Sequence, residues 1–471
     1  MVKTKYPEII KLNKPHFLFP HRIRKIKDTY LVISDHGGWV GLTKEEYISA
    51  IRNEMTSHLF SILESRGIIA TQDNIDSIVN AYKNRYHFLF NGTTLHIIIP
   101  TLRCNHQCVY CHSASKTPEK PGLDLDEKTA DKILDCIFQS PNDKIKIEFQ
   151  GGEGALNKKI VMYVVNKGKA LALKHKKDVK FVLVTNLTMM DDDFLNFLII
   201  ENVGMTTSLD GPEYIHNKNR KYVGGQGTYK DVVKWINKIK EKNKSVGMLM
   251  VTTKYSLPYW KEIIDEYVRI GVKTIQLKYL NRLGFAENEW EEIGYTPEEF
   301  IEFWKNGMDY IIELNKKGIP VRERISWLIL KKILTPYEPG FLDFRSPCGV
   351  VGGQLSYNHN GDIFSCDEGR SSELFKLGNV KDMNYTDLFK TKMAQSLISS
   401  SILENYLCDA CAYKPFCGVC PIINHAEQGN IIPKLGSNSR CKINKSQIEY
   451  VFEKLLFDIE ASKILTSWVG K

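Results

Sequence analysis

Three cysteines lie close together in one short segment of this chain, and their side chains could hold a metal cluster. Cys104, Cys108 and Cys111 follow a C-x3-C-x2-C spacing. A structural zinc site uses four protein ligands, whereas iron–sulfur clusters are held by closely spaced thiolates. A four-iron cluster held by three thiolates leaves one iron free to bind another molecule. The spacing therefore predicts an iron–sulfur site with an open position, and a zinc knuckle or a group of buried cysteines is the alternative.

A second candidate site follows an apolar run that is typical of a buried strand. This run, IKIEFQ at residues 145–150, ends in Gln150-Gly151-Gly152-Glu153. Two glycines let a backbone come close to a ligand, and free backbone N–H groups can bind a carboxylate or an amine-bearing head group. The segment is therefore a candidate ligand-binding turn.

Polar side chains also follow the next two apolar runs. The first run ends in Asn186 and the second in Ser208 and Asp210, with Arg220 further along the chain. Because a guanidinium matches a carboxylate in geometry, Arg220 is a candidate for binding the carboxylate of a ligand. Asp210 is followed by Gly and Pro, which is also typical of a simple turn.

The C-terminal third holds a second concentration of cysteines. Seven of the eleven cysteines fall there, at Cys348, Cys366, Cys408, Cys411, Cys417, Cys420 and Cys441. We expect a loop-rich segment with so many thiols to be held together by metals rather than by a large core. Zinc ribbons also contain CxxC pairs, so zinc is the alternative. The remaining cysteine, Cys136, lies in an apolar helical pattern and is expected to pack in the core.

The composition limits the class of protein. The 471 residues are enough for two to four domains, and 43% hydrophobic with 25% charged residues is typical of a soluble globular protein. The chain has no run of about 18 apolar residues and no secretory signal at its N-terminus, so no membrane partner is expected. Eleven cysteines without such a signal favour a cytoplasmic location and metal ligation. The net charge of +9 is spread over helical stretches, so no nucleic-acid partner is expected.

Residues 1–91 are expected to form a small N-terminal domain. Three short strands are predicted within residues 17–41, and three helical patterns follow. Thr43 with Glu46 three residues later is typical of a capping box at the first of these helices. This order resembles a winged-helix domain and the RiPP recognition element, which captures a leader peptide by adding it as a strand to its sheet. A purely structural cap is the alternative.

Residues 92–320 alternate between apolar strands and helices, which predicts an α/β fold with a parallel sheet. The predicted strands are LHIIIP, IKIEFQ, FVLVTN, MTTSLD, GMLMVTT and TIQLKYL. Six such units would form a partial (β/α)6 TIM-like barrel with its chemistry at the C-terminal ends of the strands. Residues 321–345 are expected to connect this barrel to a loop-rich iron–sulfur domain over 346–445, and residues 446–471 to form one C-terminal helix.

The first cysteine spacing resembles the cluster loop of the radical SAM superfamily, including an aromatic residue, Tyr110, before the third cysteine. The resemblance implies a 4Fe-4S cluster on these three cysteines with S-adenosylmethionine (SAM) on its free iron. One-electron reduction then releases a 5′-deoxyadenosyl radical from SAM, while the protein orients the cofactor.

The same resemblance implies SAM contacts at the strand ends. The glycine turn matches the superfamily's GGE motif, with Gly154 in place of the usual proline. The implied SAM-binding residues are Tyr110, Gln150, Gly151, Gly152, Glu153, Asn186, Ser208, Asp210 and Arg220.

The C-terminal cysteines resemble the SPASM domain, which carries two auxiliary 4Fe-4S clusters. The implied ligands are Cys348, Cys366 and Cys420 for the first cluster, and Cys408, Cys411, Cys417 and Cys441 for the second. The first cluster has no obvious fourth cysteine, so an open iron or a non-cysteine ligand is expected. Asp367 stands where the sulfatase-maturing branch has a general base, and a raised pKa of its carboxyl would suit that role. A structural acid is the alternative.

Longer stretches resemble the His-Xaa-Ser system radical SAM maturases, among them IEFQGGEGALN, FVLVTNLT, KILTPYEPGFLDFRSPCG, GDIFSCDEGR and CDACAYKPFCGVCPIINHAEQGN. The resemblance implies a radical SAM oxidoreductase that matures a ribosomally made precursor peptide (a RiPP), with a crosslink as the expected product. Its partners would be a precursor peptide with a leader and a flavodoxin- or ferredoxin-type electron donor. The alternatives are an anaerobic sulfatase-type formylglycine maturase and a zinc-ribbon nucleic-acid-binding protein.

Overall fold

An antiparallel sheet followed by helices begins the described part of the chain, which is residues 15–470 in this computed structural model. The strands of this N-terminal unit are β1 (His16–Leu18), β2 (His21–Ile26), β3 (Thr29–Ser34), β4 (Trp39–Leu42) and β5 (Ile69–Thr71), and its helices are α1 (Lys44–Ile51), α2 (Ser57–Ser65) and α3 (Ile75–Tyr86). The predicted three-stranded sheet is confirmed as β2-β3-β4. The antiparallel pair β1–β5 was not predicted, because its two short strands are separated by both first helices.

Local sequence signals explain much of this unit. The Thr43 side chain accepts a hydrogen bond from the backbone of Glu46, and the Glu46 carboxylate accepts one from the Thr43 backbone, so the capping box is confirmed. Side chains of β3 alternate between two cores, as a strand period of two requires. Val32 packs inside the N-terminal unit, whereas Leu31 and Ile33 pack against the main body of the protein.

A parallel sheet forms the centre of the main body. Its strands are β6 (Leu95–Ile98), β7 (Lys144–Phe149), β8 (Asp178–Val184), β9 (Gly204–Ser208) and β10 (Gly247–Leu249), in this spatial order. The helices between and after them are α4 (Glu127–Phe138), α5 (Lys158–His175), α6 (Asp192–Ile200), α7 (Glu213–Asn219), α8 (Tyr229–Glu241) and α9 (Trp260–Ile270). Five of the six predicted barrel strands are therefore confirmed as one parallel sheet.

The sixth predicted strand does not continue this sheet. β11 (Thr274–Ile275) pairs in parallel with β12 (Arg322–Glu323) in a separate two-stranded sheet. Beyond β10, one backbone hydrogen bond, from the Thr252 N–H to the Lys278 carbonyl at 2.9 Å, joins the fifth and sixth predicted segments. A continuous six-stranded parallel sheet is not formed among the described residues, because β11 pairs with β12 instead.

The cysteine-rich segment continues the same sheet on its other side. β13 (Gln354–Tyr357) pairs in parallel with β6, and β14 (Asp362–Phe364) and β15 (Lys376–Asn379) follow as antiparallel neighbours. The result is an eight-stranded sheet in the order β10-β9-β8-β7-β6-β13-β14-β15. This segment was predicted to consist of loops held together by metals, and its three strands were not predicted.

The remaining helices surround this sheet. They are α10 (Phe285–Asn288), α11 (Trp290–Ile293), α12 (Pro297–Lys316), α13 (Arg324–Leu334), α14 (Tyr385–Leu388), α15 (Lys392–Ser399), α16 (Pro421–Gln428), α17 (Ser439–Phe457) and α18 (Ile459–Val469). The single predicted C-terminal helix is two helices, because Asp458 caps the second by accepting a hydrogen bond from the Ala461 backbone at 2.9 Å. Within residues 15–470 no helix has the length and apolar character needed to cross a membrane.

The N-terminal unit is fastened to the cysteine-rich segment by a buried arginine. Arg85 donates hydrogen bonds to the backbone carbonyls of His36, Pro415 and Lys332 at 3.1, 2.8 and 3.0 Å. A bidentate pair between Arg24 and Glu449 of α17, at 2.9 and 3.1 Å, adds a second link. The unit is therefore packed against the main body rather than tethered to it.

Candidate active site

One large cavity of about 1200 Å³ runs along the inner face of the parallel sheet. Its wall reaches from Leu95 and Lys144, at the beginnings of β6 and β7, to the loops that follow the strands. This volume exceeds the roughly 300–1,000 Å³ of ordinary small-molecule pockets, so it has room for a cofactor together with part of a substrate. The cysteines of the segment 104–111, which we call the cluster loop, line this cavity.

The cluster loop surrounds its sulfur atoms with hydrogen-bond donors. The Sγ of Cys104 lies 3.4 Å from the backbone nitrogen of His106 and 3.9 Å from the Asn186 amide nitrogen. The Sγ of Cys108 lies 3.7 Å from the Arg220 guanidinium. Such donors stabilise sulfur that carries negative charge, as in an iron–sulfur cluster.

Burial has the opposite effect from these donors, because it favours the neutral form of the free thiols. It raises the pKa of Cys108 to about 12 and the pKa of Cys104 well above its ordinary value, with Glu153 raising the pKa of Cys104 further. Even with Arg220 beside Cys108, these thiols therefore stay protonated near neutral pH unless a metal binds them. The set of three thiols, donors and open cavity fits a cluster whose iron atoms replace the thiol protons.

Asp210 organises the wall beside this loop. Its carboxylate is fully buried and accepts hydrogen bonds from Arg220 Nε at 3.1 Å, from Asn219 at 3.3 Å and from the Tyr110 hydroxyl. Burial alone would lower the pKa of Arg220, but Asp210 and its neighbours raise that pKa well above its ordinary value, so the guanidinium stays charged. Asp210 itself is not part of the cavity lining, whereas Arg220 and Tyr110 are. Its observed contacts therefore position other side chains.

The glycine turn after β7 is pressed against the cluster loop. A Cβ on Gly152 would lie 2.1 Å from the carbonyl oxygen of Arg103, so only glycine fits there. The N–H groups of Gly152 and Glu153 donate to the carbonyls of Thr101 and Arg103 at 2.9 and 2.8 Å. The expectation of free N–H groups was therefore wrong for these two residues, because the turn uses them to hold the preceding loop.

The Glu153 side chain joins the ends of two strands, β7 and β8. Its carboxylate accepts hydrogen bonds from Ala155 N at 3.0 Å, Thr185 Oγ1 at 2.6 Å and Asn186 N at 2.7 Å. Burial raises the pKa of Glu153, and these donors counteract the increase. Gln150, Gly151, Asn186 and Ser208 join the same cavity wall, so nearly all predicted SAM contacts lie together. Their contact with SAM stays a prediction.

The charges of the C-terminal cysteines influence one another in two sets. Cys348, Cys366 and Cys420, which we call the auxiliary thiols, lie near enough that their charges raise one another's pKa, although burial is the larger cause. The other four interact in the same way. The pKa of Cys408 is raised to about 12, mainly by burial and further by the charges of Cys417, Cys441 and Cys411. In the described part of the chain, no three His, Cys, Asp or Glu side chains are arranged to share a single metal ion. Cluster ligation by these residues stays a prediction, and Cys136 packs in the core.

Asp367 lies in a charged network rather than alone in an apolar pocket. Its carboxylate contacts Arg370 Nε at 2.7 Å and His112 Nε2 at 3.3 Å, and Arg370 also donates to Ser113 at 2.7 Å. Burial alone would raise the pKa of Asp367, but Arg370 and His112 lower it far below its ordinary value. The expected raised pKa was therefore wrong, because an arginine three residues later holds the carboxylate in its charged form.

Several cavity residues were missed by the sequence analysis. Lys278, Asp343 and Glu368 line the cavity near Asp367, and Arg345 lies over the ring of Phe88 at 4.0 Å. They come from distant parts of the chain and match no motif. Only the apolar patterns around them could have placed them, and those patterns do not reveal which loops meet.

Part of this chain matches a known protein family, and most of it is similar to a known enzyme. Residues 98–267 match the radical SAM superfamily. The cysteine-type anaerobic sulfatase-maturating enzyme of Clostridium perfringens is 27% identical over 366 residues, which cover 75% of this chain and 94% of that enzyme.

Two solved structures share the fold. Native anSMEcpe with bound AdoMet has a TM-score of 0.66 at 21% identity, covering 79% of this chain and 100% of that one. Streptococcus suis SuiB bound to precursor peptide SuiA has a TM-score of 0.55 at 14% identity, covering 89% of this chain and 98% of that one.

The parallel sheet, the site at its strand ends and the match over residues 98–267 indicate a radical SAM domain within this chain. Its radical SAM domain covers residues 98–267, and the chain is related to anaerobic sulfatase-maturating enzymes. The superfamily uses SAM and a 4Fe-4S cluster.

Proposed function

We propose that this enzyme modifies a ribosomally made precursor peptide by hydrogen-atom abstraction, with a crosslink as the product. The cluster loop would hold the SAM-binding 4Fe-4S cluster, and the C-terminal cysteines would hold two auxiliary clusters. When bound, SAM and its cluster supply the 5′-deoxyadenosyl radical that takes the hydrogen atom. A flavodoxin- or ferredoxin-type protein would donate the electron.

The N-terminal unit is the observation that carries the peptide proposal. Its sheet presents β2 and β4 as edge strands, which is what strand addition of a leader requires. The same unit is fastened through Arg85 to Pro415, within the cysteine-rich segment. A leader bound there would hold the rest of the precursor close to the cavity. The solved structure of SuiB with its precursor peptide supports this arrangement by its fold alone.

The chain's own residues have separate tasks in this proposal. Arg220, held by Asp210, would keep a positive charge beside the cluster and the SAM carboxylate. The cavity wall would exclude water around the reacting carbon. Arg370 joins the segment after Cys366 to Ser113 in the loop after Cys111, so it would fix the distance between the two cluster regions.

A sulfatase-type maturase is the second candidate function. The observation that favours it is the relative from Clostridium perfringens, because this chain covers 94% of that enzyme's length. That alignment leaves about a quarter of this chain unmatched. Under this alternative the N-terminal unit would be a structural cap, and the substrate would be a cysteine or serine of a sulfatase.

Coexpression with candidate precursor peptides from short neighbouring genes tests the proposal. We expect a mass loss in the peptide that requires the enzyme, with fragment spectra locating a crosslink. A version beginning at residue 92 should cleave SAM without coupling, yet bind the peptide at least about tenfold more weakly, because the leader site is gone. Unchanged processing by that version would show that the unit is a cap. A sulfatase-derived peptide converted to formylglycine would favour the second candidate.

A further inference from the structure

The first auxiliary site has three thiols and a carboxylate beside them. The auxiliary thiols come from Cys348, Cys366 and Cys420. Cys348 precedes β13 and Cys366 follows β14, so the pairing of β13 with β6 places both beside the main sheet. None of the three lines the large cavity, whereas Asp343 does. Asp343 therefore borders the cavity, as do Asp367 and Glu368 beside Cys366.

Backbone contacts fix Asp343 next to two of the thiols. The carbonyl of Leu342 accepts a hydrogen bond at 3.0 Å from the nitrogen of Gly349, the neighbour of Cys348. A Cβ on Gly418 would lie 2.3 Å from the Asp343 carbonyl oxygen, so this backbone packs directly on the segment that ends in Cys420. Both contacts are independent of the side-chain charges.

The Asp343 carboxylate lacks the partners that a half-buried acid usually has. Within residues 15–470 it accepts no hydrogen bond and forms no close ion pair. Burial raises the pKa of Asp343, and the charges of Lys278 and Arg345 only counteract that increase. A buried charge costs free energy unless it is paired or coordinates a metal. Glu368 also lies near these thiols, since its charge adds to the effect of burial in raising the pKa of Cys366 and Cys420, but its carboxylate accepts a hydrogen bond from its own backbone N–H.

We propose that Asp343 supplies the fourth protein ligand of the cluster held by the auxiliary thiols. The inference rests on the proposed function, in which these thiols hold an auxiliary 4Fe-4S cluster. One oxygen of the carboxylate would bind the iron that lacks a cysteine. That iron would then be closed to the substrate, so this cluster would transfer electrons without binding the peptide.

The test uses the full chain with Cys104, Cys108 and Cys111 changed to Ala, so that only auxiliary clusters remain. After anaerobic reconstitution this parent should hold about eight irons. We compare Asp343→Asn, Asp343→Cys and, as a matched control in the same wall, Glu368→Gln. Each variant is measured by iron content, by EPR of the reduced protein and by Mössbauer spectroscopy.

The expected result is specific to Asp343. Asp343→Asn should lose about one iron per chain and give the EPR signal of a three-iron cluster on oxidation. Asp343→Cys should keep about eight irons with a shifted EPR spectrum, which also shows that the site folds. Glu368→Gln should match the parent.

Other outcomes separate the possible failures. Full iron content with an unchanged spectrum in Asp343→Asn would overturn the ligand assignment, and so would a change confined to Glu368→Gln. A parent chain that holds almost no iron would instead contradict the auxiliary clusters of the proposed function.

Discussion

The cluster loop and the auxiliary thiols each bring three sulfur atoms together, but they do so by different means. The cluster loop takes its cysteines from eight consecutive positions after one strand, β6, and its sulfur atoms line the cavity. The auxiliary thiols come from three distant loops and lie behind the cavity wall. The local motif therefore presents its thiols to the cavity, whereas the thiols brought together by the fold do not line it.

Removal of the cluster-loop thiols should have the largest effect, which we expect on SAM cleavage. With Cys104, Cys108 and Cys111 changed to Ala, we expect SAM cleavage to fall to the background rate, because no site for the cleaving cluster remains. The measurement is 5′-deoxyadenosine formed under reducing, anaerobic conditions. Cys136→Ala is the matched control, since Cys136 is buried in the core away from both sites. Retained cleavage in the triple variant would falsify the assignment.

Loss of the buried pair beside the cluster loop should have the next largest effect. Asp210→Asn removes the charge that holds Arg220, and breaking a buried ion pair costs about 3–5 kcal/mol. We expect a lower melting temperature and SAM cleavage reduced by roughly tenfold or more. Glu266→Gln, which breaks the more exposed contact of Glu266 with Arg269 at 2.7 Å, should change cleavage little. Equal losses in both variants would mean that stability alone explains the result.

Asp367→Asn should have the smallest effect of the three on product formation. Because Arg370 and His112 lower the pKa of Asp367, its carboxylate is charged throughout the range from about pH 8 to pH 5. Stability from this carboxylate is present above its unfolded-state pKa of about 4 and is lost only as the pH falls toward the lower folded-state pKa.

We therefore expect no activity change from Asp367 protonation within that range. Product should fall less than the roughly 100-fold typical of a lost general base. The measurement is peptide product against pH at constant iron content. A loss of 100-fold or more, with deoxyadenosine still formed, would show that Asp367 does accept the substrate proton.

The sequence predicted what depends on neighbouring residues. The capping box at Thr43 and the positions of the five parallel strands follow from local patterns, whereas Arg220 was assigned to the SAM site by the family resemblance. The sequence did not predict that β13 pairs with β6, or that Asp343 packs on Gly418. Those contacts join residues hundreds or tens of positions apart, and each local pattern is compatible with many pairings. The low pKa of Asp367 was missed for a different reason, since the orientation of Arg370 is set by Ser113 across the cavity.

The central claim is that this enzyme takes a hydrogen atom from a peptide. The most direct test is to supply the neighbouring precursor peptide with deuterium at its carbon positions and to measure deuterium in the 5′-deoxyadenosine that forms. The account predicts labelled deoxyadenosine in an amount that matches the modified peptide. Unlabelled deoxyadenosine beside an unmodified peptide, from enzyme with full iron content, would contradict it.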